Sequence, residues 1–491
     1  MRDGICLSYL RNTLFEVDPR DRLPPWVGFR AADDDAGWRL PLSLQCLQAL
    51  AKAYLGQVQG APAVSREGSR LYVASLARLN RELRSLRAPP PPPPPPPPSD
   101  QEPAVRRSKN RTKSESESES QSPSTCETGD DDNVLAILIL GAYEMFVLSS
   151  STGWIDHALG LGSVLEMRGP HAFVASANNS LAHTLLESSR FLIILASLAV
   201  SKRTFLSRDE WKTIPWWWWS SSNGKSPDGP QASKSAADLL LDIFADLPGL
   251  MEQRERERER ARKRKQGRGH ERRCDEAEDL YDLRTKASKV LNDLLAWRRV
   301  WDSSPEGQIT TKDSAAVLSS RRAASPSQFF DSTVLSFTST HAATYTCLYD
   351  AALILAIELF LTSTTPGVSQ AFPPPPTPPS SSSSSSRLFE EKEEDDDARM
   401  RSLSRTAAVE ICRSIPFQLS RTSSLTGQFL VLYPLRMAWK ALGGMRAGGT
   451  TTTTEARWVQ DLLDEFGKDP RNQWGVLRQT ITHGITSPSP A

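Results

Sequence analysis

Apolar residues return every three or four positions through most of this chain. Leu44, Leu47, Ala51, Tyr54 and Val58 keep that spacing behind Pro41, a residue suited to a first helical turn, and Gly56 and Gly60 stand near its end. An amphipathic helix is the consequence. Tyr72, Leu76, Leu79, Leu83 and Leu86 repeat the period after a short turn, so the two segments are expected to pack as an antiparallel hairpin. Leu280, Leu283, Ala287, Val290, Leu294, Trp297 and Trp301 predict a longer helix with one apolar stripe. Residues 330–361 and 406–442 continue in the same style, with Pro416 and Pro434 expected to break or kink them. No alternating β-branched run bounded by turn signals stands out. The expected fold is therefore all-α: a multi-helix bundle of stacked helical hairpins carrying long disordered insertions.

Low-complexity segments divide the bundle. Ten prolines, Pro89 to Pro98, lead into a Ser/Glu alternation from Ser114 to Ser120 and the acidic Asp130 to Asp132. A proline run prefers polyproline II, and the polar stretch behind it has too little apolar surface to offset its ordering entropy. Further breaks are expected at 220–234, in the charge run 254–273, at 303–327, and across the Pro-, Ser- and acid-rich 364–397. The resulting organisation is a helical part over 1–88, an insertion at 89–133, a central core at 134–250, a charged linker at 251–275, a helical part at 276–362, a second insertion at 363–400 and a C-terminal helical part at 401–491.

Charge and candidate chemistry narrow the function. Lys and Arg number 59 against 58 Asp and Glu, a net charge of +1, so nothing global points to nucleic acid or to a membrane surface. Residues 1–15 read as neither signal nor transit peptide, and the apolar runs 134–148 and 191–200 fall short of the ~18 residues of a membrane span. Cys6, Cys46, Cys126, Cys274, Cys347 and Cys412 form no C-x-x-C pair and the six histidines no metal spacing, so no cofactor or metal is expected and a reduced intracellular setting fits. Gly-rich phosphate loops, G-x-S-x-G and H-E-x-x-H are likewise missing, and no enzyme is expected.

The most informative segment is 134–173. Its first fifteen residues are apolar all round except at Glu144, so this helix is expected at the centre of the bundle. A buried carboxylate requires a partner, for which Arg168 is the first candidate and Trp154 or His157 the second. The next helix sets Trp154, Ala158, Leu161 and Leu165 on one face and ends at Gly169-Pro170. An apolar helix closing on Tyr143-Glu144, followed by Trp154, His157 and Arg168-Gly169-Pro170, resembles the fungal-specific transcription factor domain, the regulatory middle domain of fungal zinc-cluster transcription factors. Residues 42–56, Tyr72 with Leu76, Phe205 with Trp211 and Ile214-Pro215-Trp216, Asp238 to Pro248, and Ile411 to Phe417 with 432–438 are similar to the same family.

That resemblance implies a fungal transcription regulator acting in the nucleus, with proteins of the transcription machinery as partners or with self-association. It also implies a six-cysteine zinc cluster ahead of the domain. Nothing of that kind stands ahead of Leu42, where Cys6 and Cys46 are too few and too far apart, so this chain is not expected to bind DNA directly. The alternative reading is a non-DNA-binding interaction scaffold derived from the same fold. Residues 254–273 hold eleven Lys or Arg against four Glu and include Arg262, Lys263, Arg264 and Lys265, a candidate nuclear import signal or phosphate-contacting patch that also reads as a solvated helix or expanded linker. Trp216 to Trp219 cannot all face one core.

Overall fold

The computed structural model describes residues 6, 10, 41–87, 125–147, 150, 152–175, 180–214, 234–266, 273–313, 333–363, 385–421, 425–443 and 453–468. Helix dominates them. α1 (Pro41–Val58) and α2 (Pro62–Arg87) form the expected hairpin, and their axes approach so closely that a Cβ on Gly56 would meet the Ser65 backbone N at 2.3 Å and one on Gly68 the Ala53 N at 2.3 Å. α1 packs also on α3 (Thr125–Phe146), which forms a second hairpin with α4 (Gly153–Arg168). Pressed between α2 and α3, α1 is buried on nearly every side rather than along one stripe.

α5 (Pro170–Ala175) opens on the proline that cannot extend α4, and α6 (Ser180–Ala199) lies across α4. Phe205 meets Trp211 of the short α7 (Asp209–Lys212) edge to face at 4.5 Å. α8 (Ala236–Phe244), α9 (Leu247–Lys265) and α10 (Arg273–Ser303) follow, and the α10 stripe is buried as its spacing predicts. Trp297 and Trp301 stack at 5.3 Å inside it.

At the centre of the second half stands α11 (Thr340–Thr362), enclosed by α9, α10, α12 (Ser385–Arg421) and α13 (Leu425–Ala441). By length and composition α11 could cross a membrane, but 83% of its most apolar window is buried, as in the core helix of a bundle. α14 (Thr454–Lys468) closes the order by packing Ala456, Val459 and Leu463 toward α13.

Several sequence expectations are corrected. Between α10 and α11 an antiparallel hairpin pairs β1 (Ile309–Asp313) with β2 (Thr333–Phe337), Ile309 opposite Phe337 and Asp313 opposite Thr333. One lies in a segment expected to be loop, the other in one expected to be helix; β2 is extended because Val334, Leu335 and Phe337 are buried there while its partner strand supplies backbone hydrogen bonds. The charged linker is helical through Lys265, with Arg254 and Glu257 buried. Residues 125–133 and 385–400 belong to α3 and α12 rather than to insertions. Pro416 and Pro434 lie inside α12 and α13, which run on through them. The Trp216–Trp219 run and the proline runs lie outside the described residues.

Candidate functional site

The segment singled out by sequence converges with α2 on one buried cluster. Tyr72 of α2 donates its hydroxyl hydrogen to Glu144 Oε1 at 2.5 Å, and the same hydroxyl lies 3.0 Å from His157 Nε2 of α4. Because that single proton is given to the carboxylate, His157 must donate from Nε2, which fixes its tautomer. The backbone N–H of Ser150 donates to Glu144 Oε2 at 3.1 Å. Tyr143 stacks on the Tyr72 ring at 4.0 Å and points its hydroxyl at Ser69 Oγ, 3.3 Å away.

Glycine makes this geometry possible at the first residue of α4. A Cβ on Gly153 would stand 2.6 Å from Glu144 Cδ and 2.8 Å from Oε2, so the carboxylate can lie against the start of α4 only because residue 153 has no side chain. There the helix dipole favours a negative charge. Burial pushes the His157 imidazole below its usual range, against the upward pull of Glu144 and Asp156, and raises the Tyr143 phenol. The cluster thus joins α2, α3 and α4 through the Tyr72 hydroxyl, which stands between the Glu144 carboxylate and the His157 imidazole.

Arg168 does not reach Glu144. Its Nη1 donates to Asp131 Oδ1 at 2.7 Å, and the neighbouring Asp132 accepts from the backbone N–H groups of Leu42 and Ser43, both at 3.1 Å. The acidic residues read as the end of an insertion are therefore anchors of the core: Asp131 closes the C-terminus of α4 through Arg168 and Asp132 caps the N-terminus of α1. Gly169 ends α4 at φ 72° and ψ 160°, a region open to glycine alone, and its N–H reaches the carbonyls of Leu165 and Glu166. Trp154 and His157 border a small, partly open cleft whose other walls include Leu138, Gly141, Met145 and Leu192.

Buried ion pairs hold the rest together. Arg190 of α6 bridges Asp238 at 2.9 Å and Asp242 at 2.6 Å on α8. Glu358 of α11 accepts from Arg254 of α9 at 3.0 Å and Lys440 of α13 at 2.5 Å; these two cations outweigh its burial and hold its carboxyl below the usual range. Arg298 of α10 reaches Glu410 of α12 at 3.2 Å and lies 3.7 Å from Asp350. Among the described residues no group of three metal-ligating side chains is assembled. Cys6, Cys46, Cys347 and Cys412 are buried and form no disulfide with one another.

A family-wide sequence model described as the fungal specific transcription factor domain matches residues 37–370, more than half of the chain and all of the cluster just described. The chain belongs to that family. No curated protein and no solved structure matches it. Within the fungal-specific transcription factor domain, the Tyr143-Glu144, Trp154, His157 and Arg168-Gly169-Pro170 positions all fall on the α3–α4 hairpin and its contacts. The match ends at 370, so the likeness of 411–417 and 432–438 to the family lies beyond it. Sequence reasoning missed Tyr72 as the partner of Glu144, and missed Gly153, Asp131 and Asp132. The only signal for the two aspartates was their place directly before a fully apolar helix.

Proposed function

We propose that this chain is the regulatory part of a fungal transcription regulator of the zinc-cluster family, acting in the nucleus through protein contacts rather than by catalysis or direct DNA contact. The observation that carries the reading is the family match over 37–370, laid over a cluster whose members face one another instead of a substrate. Glu144 is 2% and Tyr72 9% exposed, so the cluster serves to fix α2 against the α3–α4 hairpin. No cofactor enters this reading. Arg262 to Lys265, at the end of α9, would serve as the import signal; Arg262 and Lys263 are exposed on a helix rather than in an irregular insertion.

Fusion to a heterologous DNA-binding domain in a fungal host tests it. Reporter expression should shift when the full chain is attached, and Glu144→Ala in the fusion should abolish the shift at equal protein level. A reporter unmoved by the wild-type fusion would overturn the reading.

A further inference from the structure

α2 shows solvent a face that its packing does not explain. Arg66, Arg70, Val73, Ala77, Arg81 and Arg84 follow one another at steps of four, three, four, four and three, and so lie along a single strip of the helix. All six are exposed, Val73 to 63%, while Gly68, Tyr72, Ser75 and Leu79 on the other side are buried. The strip is about 27 Å long at the α-helical rise. The two carboxylates of α2 are engaged elsewhere, Glu67 with Lys52 at 2.7 Å and Glu82 with Arg78 at 2.8 Å. Among the described residues Arg66, Arg70, Arg81 and Arg84 have no ion-pair partner. On α9, by contrast, Arg258 and Arg260 are paired with Glu255 and Glu257 of their own helix.

Charge order along the strip selects the occupant. Two arginines stand at each end, and Val73, Ala74 and Ala77 form a small apolar centre. A second copy of α2 laid antiparallel would set Arg66 and Arg70 against Arg81 and Arg84, a like-charge contact that costs energy. The evenly spaced phosphates of a duplex would meet the exposed Val73 midway. A helix with carboxylates at both ends and apolar residues between them meets neither obstacle.

We propose that the outer face of α2 docks an acidic amphipathic helix of a partner protein, its apolar residues on Val73 and Ala77 and its carboxylates on the two arginine pairs. This deepens the partner side of the function proposed above and rests on it only in requiring a protein partner. The small side chains of Ala74 and Ala77 permit a close interaxial approach, and the guanidinium forks accept carboxylates in two-pronged geometry. The apolar centre supplies affinity while the arginine pairs set orientation and speed encounter.

Fluorescence anisotropy on the full chain tests the proposal with a labelled synthetic helix of about 20 residues, carrying glutamate pairs at both ends of a Leu/Ala centre. Controls are the same peptide scrambled, the same peptide with lysine for glutamate, and a random duplex DNA of similar length. The wild type should bind the designed peptide and neither peptide control, and Arg81→Glu with Arg84→Glu, or Val73→Asp alone, should weaken it about tenfold or more. Circular dichroism and the thermal midpoint should stay unchanged, since these side chains are exposed. Equal binding of the scrambled peptide, wild-type affinity in the variants, or tighter binding of the duplex through the same arginines would each overturn the proposal. None of these readouts involves a reporter gene, so failure here is separable from failure of the regulatory reading.

Discussion

Glu144 demonstrates how far one residue's environment can be read in advance. Its solitary charge in an apolar helix identified it as buried and partnered, which the structure bears out. The partner was not legible, because Tyr72 lies 72 positions away and periodicity says which face a tyrosine occupies but not which carboxylate it meets. Tyr72→Phe should cost about 1.5–3 kcal/mol, the usual worth of a hydrogen bond to a charged group. With Glu144→Ala it should show strong non-additivity in thermal unfolding, whereas Glu144→Ala combined with Arg168→Ala should add to within about 0.5 kcal/mol, because Arg168 serves Asp131. Coupling of Glu144 with Arg168 instead would contradict the geometry.

Helices were legible where apolar spacing was strict, as in α10, and less so where charge or low complexity masked them. The Arg/Glu alternation of α9 reads as solvated chain, yet Arg254 is buried because Glu358 of α11 takes its charge. β1 and β2 were missed because five-residue strands carry too short a signal, and the buried face of β2 depends on α12, whose Arg413 donates to the Thr333 carbonyl and hydroxyl. Glu358 joins three helices, so Glu358→Gln should leave the buried Arg254 and the half-buried Lys440 without a counter-charge, at a cost of about 3 kcal/mol. The sign with pH follows from its depressed carboxyl: the stabilisation is full above the unfolded value of roughly 4.3 and is lost as pH falls through the lower folded value. The glutamine variant should therefore lack that part of the acid limb in a pH series of denaturant midpoints.

The folded body is larger than the family match. α11 belongs to the matched residues, but α12 and α13 supply much of its cover and carry Glu410 and Lys440 to its ion pairs. A chain ended after residue 370 should accordingly lose its cooperative melting transition and bind a hydrophobic dye, while the full chain melts as one unit; a sharp transition in the short form would place the C-terminal helices outside the core. The cap on α1 has a different consequence, felt during synthesis. Leu42 N–H waits for a carboxylate 90 positions downstream, so at ribosomal rates of about 5–20 residues per second the completed α1 exists for roughly 4–15 s before Asp132 has even been made. Through that interval a helix that the finished fold buries on nearly every side has only α2 to cover its apolar residues, and it is the stretch of nascent chain where a chaperone would bind first.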